Sequence, residues 1–65
     1  MNGIQRVKQF DEIKEFTPVL QSLYNIPYET SILLSKICIN KGYSLKYLKE
    51  GIYKKSIEKL IKELQ

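Results

Sequence analysis

Residues 42–64 read GYSLKYLKEGIYKKSIEKLIKEL, and the placement of their leucines and isoleucines decides the fold. At about 100° per residue, with Leu45 set to zero, Leu48 falls at roughly 300° and Ile52 at roughly 340°. By the same count Ile57, Leu60, Ile61 and Leu64 fall at roughly 120°, 60°, 160° and 100°. The two sets are centred about 140° apart, so one straight helix cannot bury both against a single neighbour. Gly51 sits where the phase breaks, and glycine costs about 1 kcal/mol in a helix interior relative to alanine. The spacing predicts a turn near Gly51. A short helix over residues 44–50, with Ser44 as its N-cap, precedes it, and a terminal helix over 53–64 follows. A continuous helix that dimerises through its second half is the alternative.

Working upstream, Asn40-Lys41-Gly42 is the usual ending of a helix with a left-handed C-terminal cap. That helix is expected over residues 27–41. Pro27 suits its first turn, and Glu29 suits the positive end of its dipole. Its apolar stripe is wide, with Ile32, Leu33 and Ile37 at the centre and Leu34, Cys38 and Ile39 on the flank, so it is the expected spine of the domain. Asn25-Ile26-Pro27 marks the break before it. Thr17-Pro18 pairs an N-cap residue with a residue favoured at the first helical position. A helix is therefore expected over residues 18–24 after a first turn or two over 10–16, with one kinked helix through Pro18 as the alternative. Strand-type alternation is absent apart from a few residues around Ile4 to Val7. The reading is an all-α single domain over residues 1–65, a small bundle of four to five short helices, with residues 1–9 as a candidate flexible arm. The expected core is Phe16, Leu20, Leu23, Ile32, Leu33, Ile37, Leu48, Ile52, Ile57, Leu60 and Ile61.

Composition excludes several functions. The chain has 65 residues, one cysteine and no histidine. A domain this short buries only about 60% of its unfolded surface and usually needs a staple, idealised packing or a partner. One cysteine forms no intrachain disulfide, and without histidine the four-ligand zinc sites of small domains cannot be assembled. Cys38 lies in the apolar run Ile37-Cys38-Ile39 and reads as a small buried hydrophobe. No metal and no cofactor is expected. Asp11, Glu12 and Glu15 cluster at a helix start, which the dipole explains, so no catalytic residue is assigned and the protein is read as no enzyme. The N-terminus carries Arg6 and Lys8 with no apolar segment after them, and residues 32–39 are far short of the ~20 apolar residues of a membrane span. A cytoplasmic location is expected and a membrane partner is not.

The basic side chains are ten lysines and one arginine, and the formal net charge is +4. Residues 1–43 hold five basic and four acidic side chains, whereas residues 44–65 hold six lysines and three glutamates. The excess thus lies in the last third of the chain, which favours polyanions. Frequent Ile, Lys, Asn and Tyr match the codon usage of AT-rich genomes, pointing to a low-GC bacterium, a phage or a plasmid as source.

Ser44, Leu45, Leu48, Gly51, Ile52, Ile57 and Leu60 form an order that resembles the helix-turn-helix DNA-binding superfamily. In that pattern the turn glycine is followed by an apolar residue, with further apolar positions five and eight residues later. Ile52, Ile57 and Leu60 occupy those positions. Glu50 and Tyr47 depart from it, standing where an apolar and a small residue are usual. The resemblance covers about a third of the chain. It implies a regulatory DNA-binding protein whose terminal helix enters the major groove and turns Tyr53, Lys54, Lys55, Ser56 and Lys59 toward DNA. That face holds no Arg, Asn or Gln, so its contacts are expected at phosphates more than at base edges. A homodimer is implied as well, because one half-site provides little affinity. The plainer reading of the same residues is a bundle core with a solvated lysine face.

Five tyrosines are many for this length, and several fall at helix ends. Tyrosine is enriched at protein interfaces because it offers rigid area plus a hydroxyl. Tyr24, Tyr28, Tyr43 and Tyr47 are therefore the candidate interface of an alternative function, a small inhibitor or modulator of a larger host or regulatory protein.

Overall fold

The computed structural model describes residues 2–65, with side chains from Phe10 onward. It holds four helices: α1 (Asn2–Tyr24), α2 (Tyr28–Asn40), α3 (Leu45–Lys49) and α4 (Lys54–Leu64). No strand occurs among the described residues. The protein is all-α, as its periodicity predicts. The arm expected over residues 1–9 falls on Met1, outside the described residues, and on positions whose backbone is helical but whose side chains are not described.

The expected helix start at Pro18 is corrected: α1 is continuous, with Pro18 inside it. Proline removes one backbone donor, and the Pro18 ring lies on the exposed side of the helix, where water can reach the carbonyl left unpartnered. One residue earlier, the buried Thr17 hydroxyl donates to the Ile13 carbonyl at 2.7 Å. Thr17 thus spends its side chain inside the helix and against α2, and does not cap a new one. The predicted break at residues 25–27 is present. Asn25 takes a left-handed φ of 51°, its N–H reaches the Gln21 carbonyl at 2.9 Å, and the chain reverses into α2.

The α1–α2 seam is built from small polar residues. Ser31 and Ser35 are wholly buried, one turn apart on α2. The Ser35 hydroxyl donates to the Ser31 carbonyl at 2.7 Å, the Ser31 hydroxyl donates to the Tyr28 carbonyl, and the Thr17 and Ser35 hydroxyl oxygens lie 3.1 Å apart across the seam. Short side chains let the two backbones approach, and each hydroxyl is satisfied. The buried row of α2 is therefore Ser31, Leu34, Ser35 and Cys38, spaced i, i+3, i+4, i+7. Leu34 and Cys38 join Phe16, Leu20, Ile26, Leu48 and Ile57 in the core.

Four of the eleven expected core residues are buried as expected, namely Phe16, Leu20, Leu48 and Ile57. Leu60 and Ile61 pack against the core half-buried, and Ile32 and Ile37 are also half-buried. Leu23, Leu33 and Ile52 are corrections, being 48%, 49% and 60% exposed. For Leu33 the reason is rotation. The seam faces the serines, and that turns Leu33 about 160° from Ser35 around α2, away from α1. For Leu23, the tight turn at Asn25 directs Ile26 into the core instead.

If serine geometry sets the seam, Ser35→Leu overpacks it and loses about 1–3 kcal/mol in urea unfolding. Leu33→Lys, which inserts a charge where a leucine stood, stays within about 0.5 kcal/mol of the parent.

Candidate nucleic-acid interface

Two glycine turns place α3 and α4. Gly42 and Gly51 both have φ of 82°, a conformation that side-chain-bearing residues rarely adopt. After α2 the Gly42 N–H reaches the Ile39 carbonyl and the Tyr43 N–H reaches the Cys38 carbonyl, both at 3.0 Å. After α3 the Gly51 N–H reaches the Leu48 carbonyl at 3.1 Å and the Ile52 N–H reaches the Tyr47 carbonyl at 3.2 Å. Each turn is a Schellman cap that satisfies the last carbonyls of the helix before it. The phase break at Gly51 is thus a true turn, and residues 44–64 form two helices. Ile52 sits in the second position after the cap, where the backbone has already turned outward. That explains its exposure, although the helix-turn-helix pattern would bury it.

Between the turns, Ser44 caps α3 as expected, its hydroxyl accepting from the Tyr47 N–H at 3.2 Å. Tyr43 and Tyr53 flank α3 and stack on each other, with ring centroids 3.9 Å apart and planes 6° from parallel. The Tyr53 hydroxyl also accepts from the Ser44 N–H at 3.3 Å. Tyr53 is therefore engaged in fastening the turn, and it leaves Lys54, Lys55, Ser56 and Lys59 as the exposed members of the expected contact set.

Of those four, α4 brings only two into one row. With the buried Ile57 at zero, Lys55 and Lys59 lie at roughly 160° and 200°, and Lys62 joins them at roughly 140°. Lys54 and Ser56 fall to either side, at roughly 60° and 260°. The ridge opposite the buried face is thus Lys55, Lys59 and Lys62, all exposed. Lys59 borders two open grooves. One is shared with Lys41, Tyr43, Ser56 and Glu63, and the other with Tyr24, Lys55, Glu58 and Lys62. Lys46 and Lys49 of α3 are exposed too. Sequence reasoning left out Lys62, Lys46, Lys49 and Lys41. For Lys62, the i, i+4, i+7 spacing with Lys55 and Lys59 was the available signal.

Electrostatics at the start of α4 are unusual. No acidic residue occupies its first turn, no side chain caps it, and Lys54 and Lys55 stand at its positive end. Cations there are disfavoured by the helix dipole, typically by about 0.3–1 kcal/mol. An external anion would relieve that repulsion. Glu58 lies toward Tyr24, whose phenol is pushed above its ordinary pKa, first by burial and then by the Glu58 charge.

The tyrosines of the alternative interface do not converge on one patch. Tyr43 and Tyr24 border the two grooves beside α4, and Tyr28 borders a third groove between α1 and α2. Tyr47 is exposed on α3. Among the described residues no group of three or more potential metal ligands comes together, and no helix is long and apolar enough to cross a membrane. Cys38 is free and buried, and burial pushes its thiol up to about 11.

Tyr53→Ala is expected to destabilise the fold by about 0.5–1.5 kcal/mol through the lost stack, with Tyr53→Phe much milder, as read by thermal unfolding. Cys38 should react with a disulfide reagent at neutral pH only as fast as the chain opens, and at once in denaturing urea. The raised thiol pKa fixes the sign of its pH linkage. The stability carried by the neutral thiol is complete below its ordinary value of 9.0 and is lost as pH rises toward about 11. Comparing urea midpoints of the parent and Cys38→Ala across that range measures it.

No protein-family model, curated protein or solved structure matches the chain, so its function is read from this geometry.

Proposed function

We propose that this protein is a small non-enzymatic DNA-binding module with a regulatory role, which docks the outer face of α4 on the phosphate backbone. The observation that carries this reading is the exposed Lys55–Lys59–Lys62 ridge. It stands opposite the buried Ile57, on a helix whose position is fastened by the Gly51 turn and the Tyr43–Tyr53 stack. A row of exposed lysines on one face of a helix neutralises phosphates and releases their counterions.

Two further observations support it. All six lysines of residues 44–65 are exposed. The start of α4 also lacks the acidic residue or side-chain cap that ordinarily settles a helix N-terminus. The chemistry of the ridge favours backbone contact over base reading, since lysine meets phosphate as a point charge and the ridge holds no Arg, Asn or Gln. Sequence-tolerant, salt-sensitive binding follows. The open turn between α3 and α4 and the burial of Ile57 and half-burial of Leu60 agree with the helix-turn-helix resemblance, whereas the exposed Ile52 and the five-residue α3 depart from it.

Fluorescence anisotropy with a random-sequence duplex, titrated over several salt concentrations, tests the proposal. The expected slope of log affinity against log salt is about −3 or steeper, becoming much shallower in the Lys55→Ala, Lys59→Ala, Lys62→Ala triple variant. Lys14→Ala with Lys36→Ala should leave the slope unchanged. Absence of binding at low salt would overturn the proposal and leave the ridge as a solvated face.

A further inference from the structure

We infer that the uncovered groove of the α1–α2 hairpin receives an acidic amphipathic helix of a partner protein. Two antiparallel helices present two grooves. In this protein α3 packs on α1 and α4 on α2, and their buried Leu48 and Ile57 fill one groove together with Phe16, Leu20, Leu34 and Cys38. The other groove is lined by α1 and α2 alone. Its volume is about 410 Å³, and its apolar lining includes the half-buried Ile13 and Ile32 and the exposed Phe10 and Tyr28. Phe10 and Tyr28 are 65% and 60% exposed, so two large aromatic side chains, one from each helix, stand in water at this groove.

The groove also has the shape for a helix. From Tyr28 to Lys36 it runs about 12 Å along α2, enough for apolar anchors at i, i+4 and i+7 of a third helix. Pro18 lies on this side of α1, where it offers a flat apolar surface and no donor.

Charge selects the occupant. Lys14 stands on the α1 wall and Lys36 on the α2 wall, and no carboxylate lines the groove among the described residues. Asp11, Glu15 and Glu29 are exposed but do not line it. A helix with carboxylates flanking its apolar stripe meets a lysine on each side. A second copy of this chain does not. A two-fold contact through this groove sets the same surface against itself and brings four lysines to one interface. The inference is independent of DNA binding, since it uses none of the α4 lysines.

The test uses the full chain and two synthetic labelled helical peptides of about twenty residues. Both carry leucine at i, i+4 and i+7; one has glutamate flanks and the other lysine flanks. Anisotropy should show the glutamate peptide binding about tenfold or more tighter. Lys14→Glu with Lys36→Glu should reverse that preference, and Ile32→Asp, checked by circular dichroism for retained helix, should abolish binding of both. The Lys55→Ala, Lys59→Ala, Lys62→Ala variant should bind the glutamate peptide as the parent does. Equal or no affinity for the two peptides overturns the inference. So does loss of binding in the α4 triple variant with retention in the Lys14/Lys36 reversal. A parent dimer in sedimentation equilibrium that Ile32→Asp converts to monomer overturns it as well, because it seats a second copy in the groove.

Discussion

The Thr17–Ser35 contact holds the two long helices at the distance on which the rest of the structure depends. Two hydroxyl oxygens 3.1 Å apart, both buried, require the backbones of α1 and α2 to lie close. Each hydroxyl has a single proton: one of the two gives it to the other across the seam while its partner donates to a carbonyl of its own helix, so burial leaves neither unsatisfied. A hydrogen bond of this kind contributes only about 0.5–1.5 kcal/mol net, but a buried hydroxyl without a partner costs about 1–3 kcal/mol. The seam therefore acts more through specificity than through strength. It sets the rotation of α2, which directs Leu34 and Cys38 to the face covered by α3 and α4, and it leaves Tyr28 and Ile32 on the other.

Much of the architecture was legible from local chemistry. The cap at Gly42, the N-cap at Ser44, the turn at Gly51 and the break at residues 25–27 each have a backbone cause that survives without knowledge of the tertiary fold. The errors came where tertiary contact overrode local preference. Pro18 looked like a helix start because its preceding threonine is a good cap, yet Thr17 was needed at the seam. Leu33 looked like core because hydrophobicity ranks it above serine, yet the helix pair approached along its small residues. Ile52 looked like core because a phase count assumes a helix, and that position belongs to a turn.

The candidate site was legible in its charge and only partly in its geometry. The lysine excess after residue 44 located the face, while the helical-wheel spacing of Lys55, Lys59 and Lys62 defined the ridge. Tyr53 shows the limit of pattern matching. Its position suggests contact with DNA, but a neighbour nine residues away, Ser44, takes its hydroxyl, and Tyr43 takes its ring. The two proposed surfaces divide the molecule. The layer formed by α3 and α4 carries most of the positive charge, whereas the bare side of the hairpin carries exposed aromatic area between two lysines.

Amide chemical-shift mapping of the labelled chain distinguishes two separate binding surfaces from a single shared one. A random-sequence DNA duplex and the glutamate-flanked helix are added separately and then together. DNA is expected to shift amides around Lys55, Lys59 and Lys62, the helix those around Ile13, Tyr28 and Ile32, and the two patterns to add. Both ligands moving the same amides, or the helix displacing DNA, would contradict the division into two surfaces.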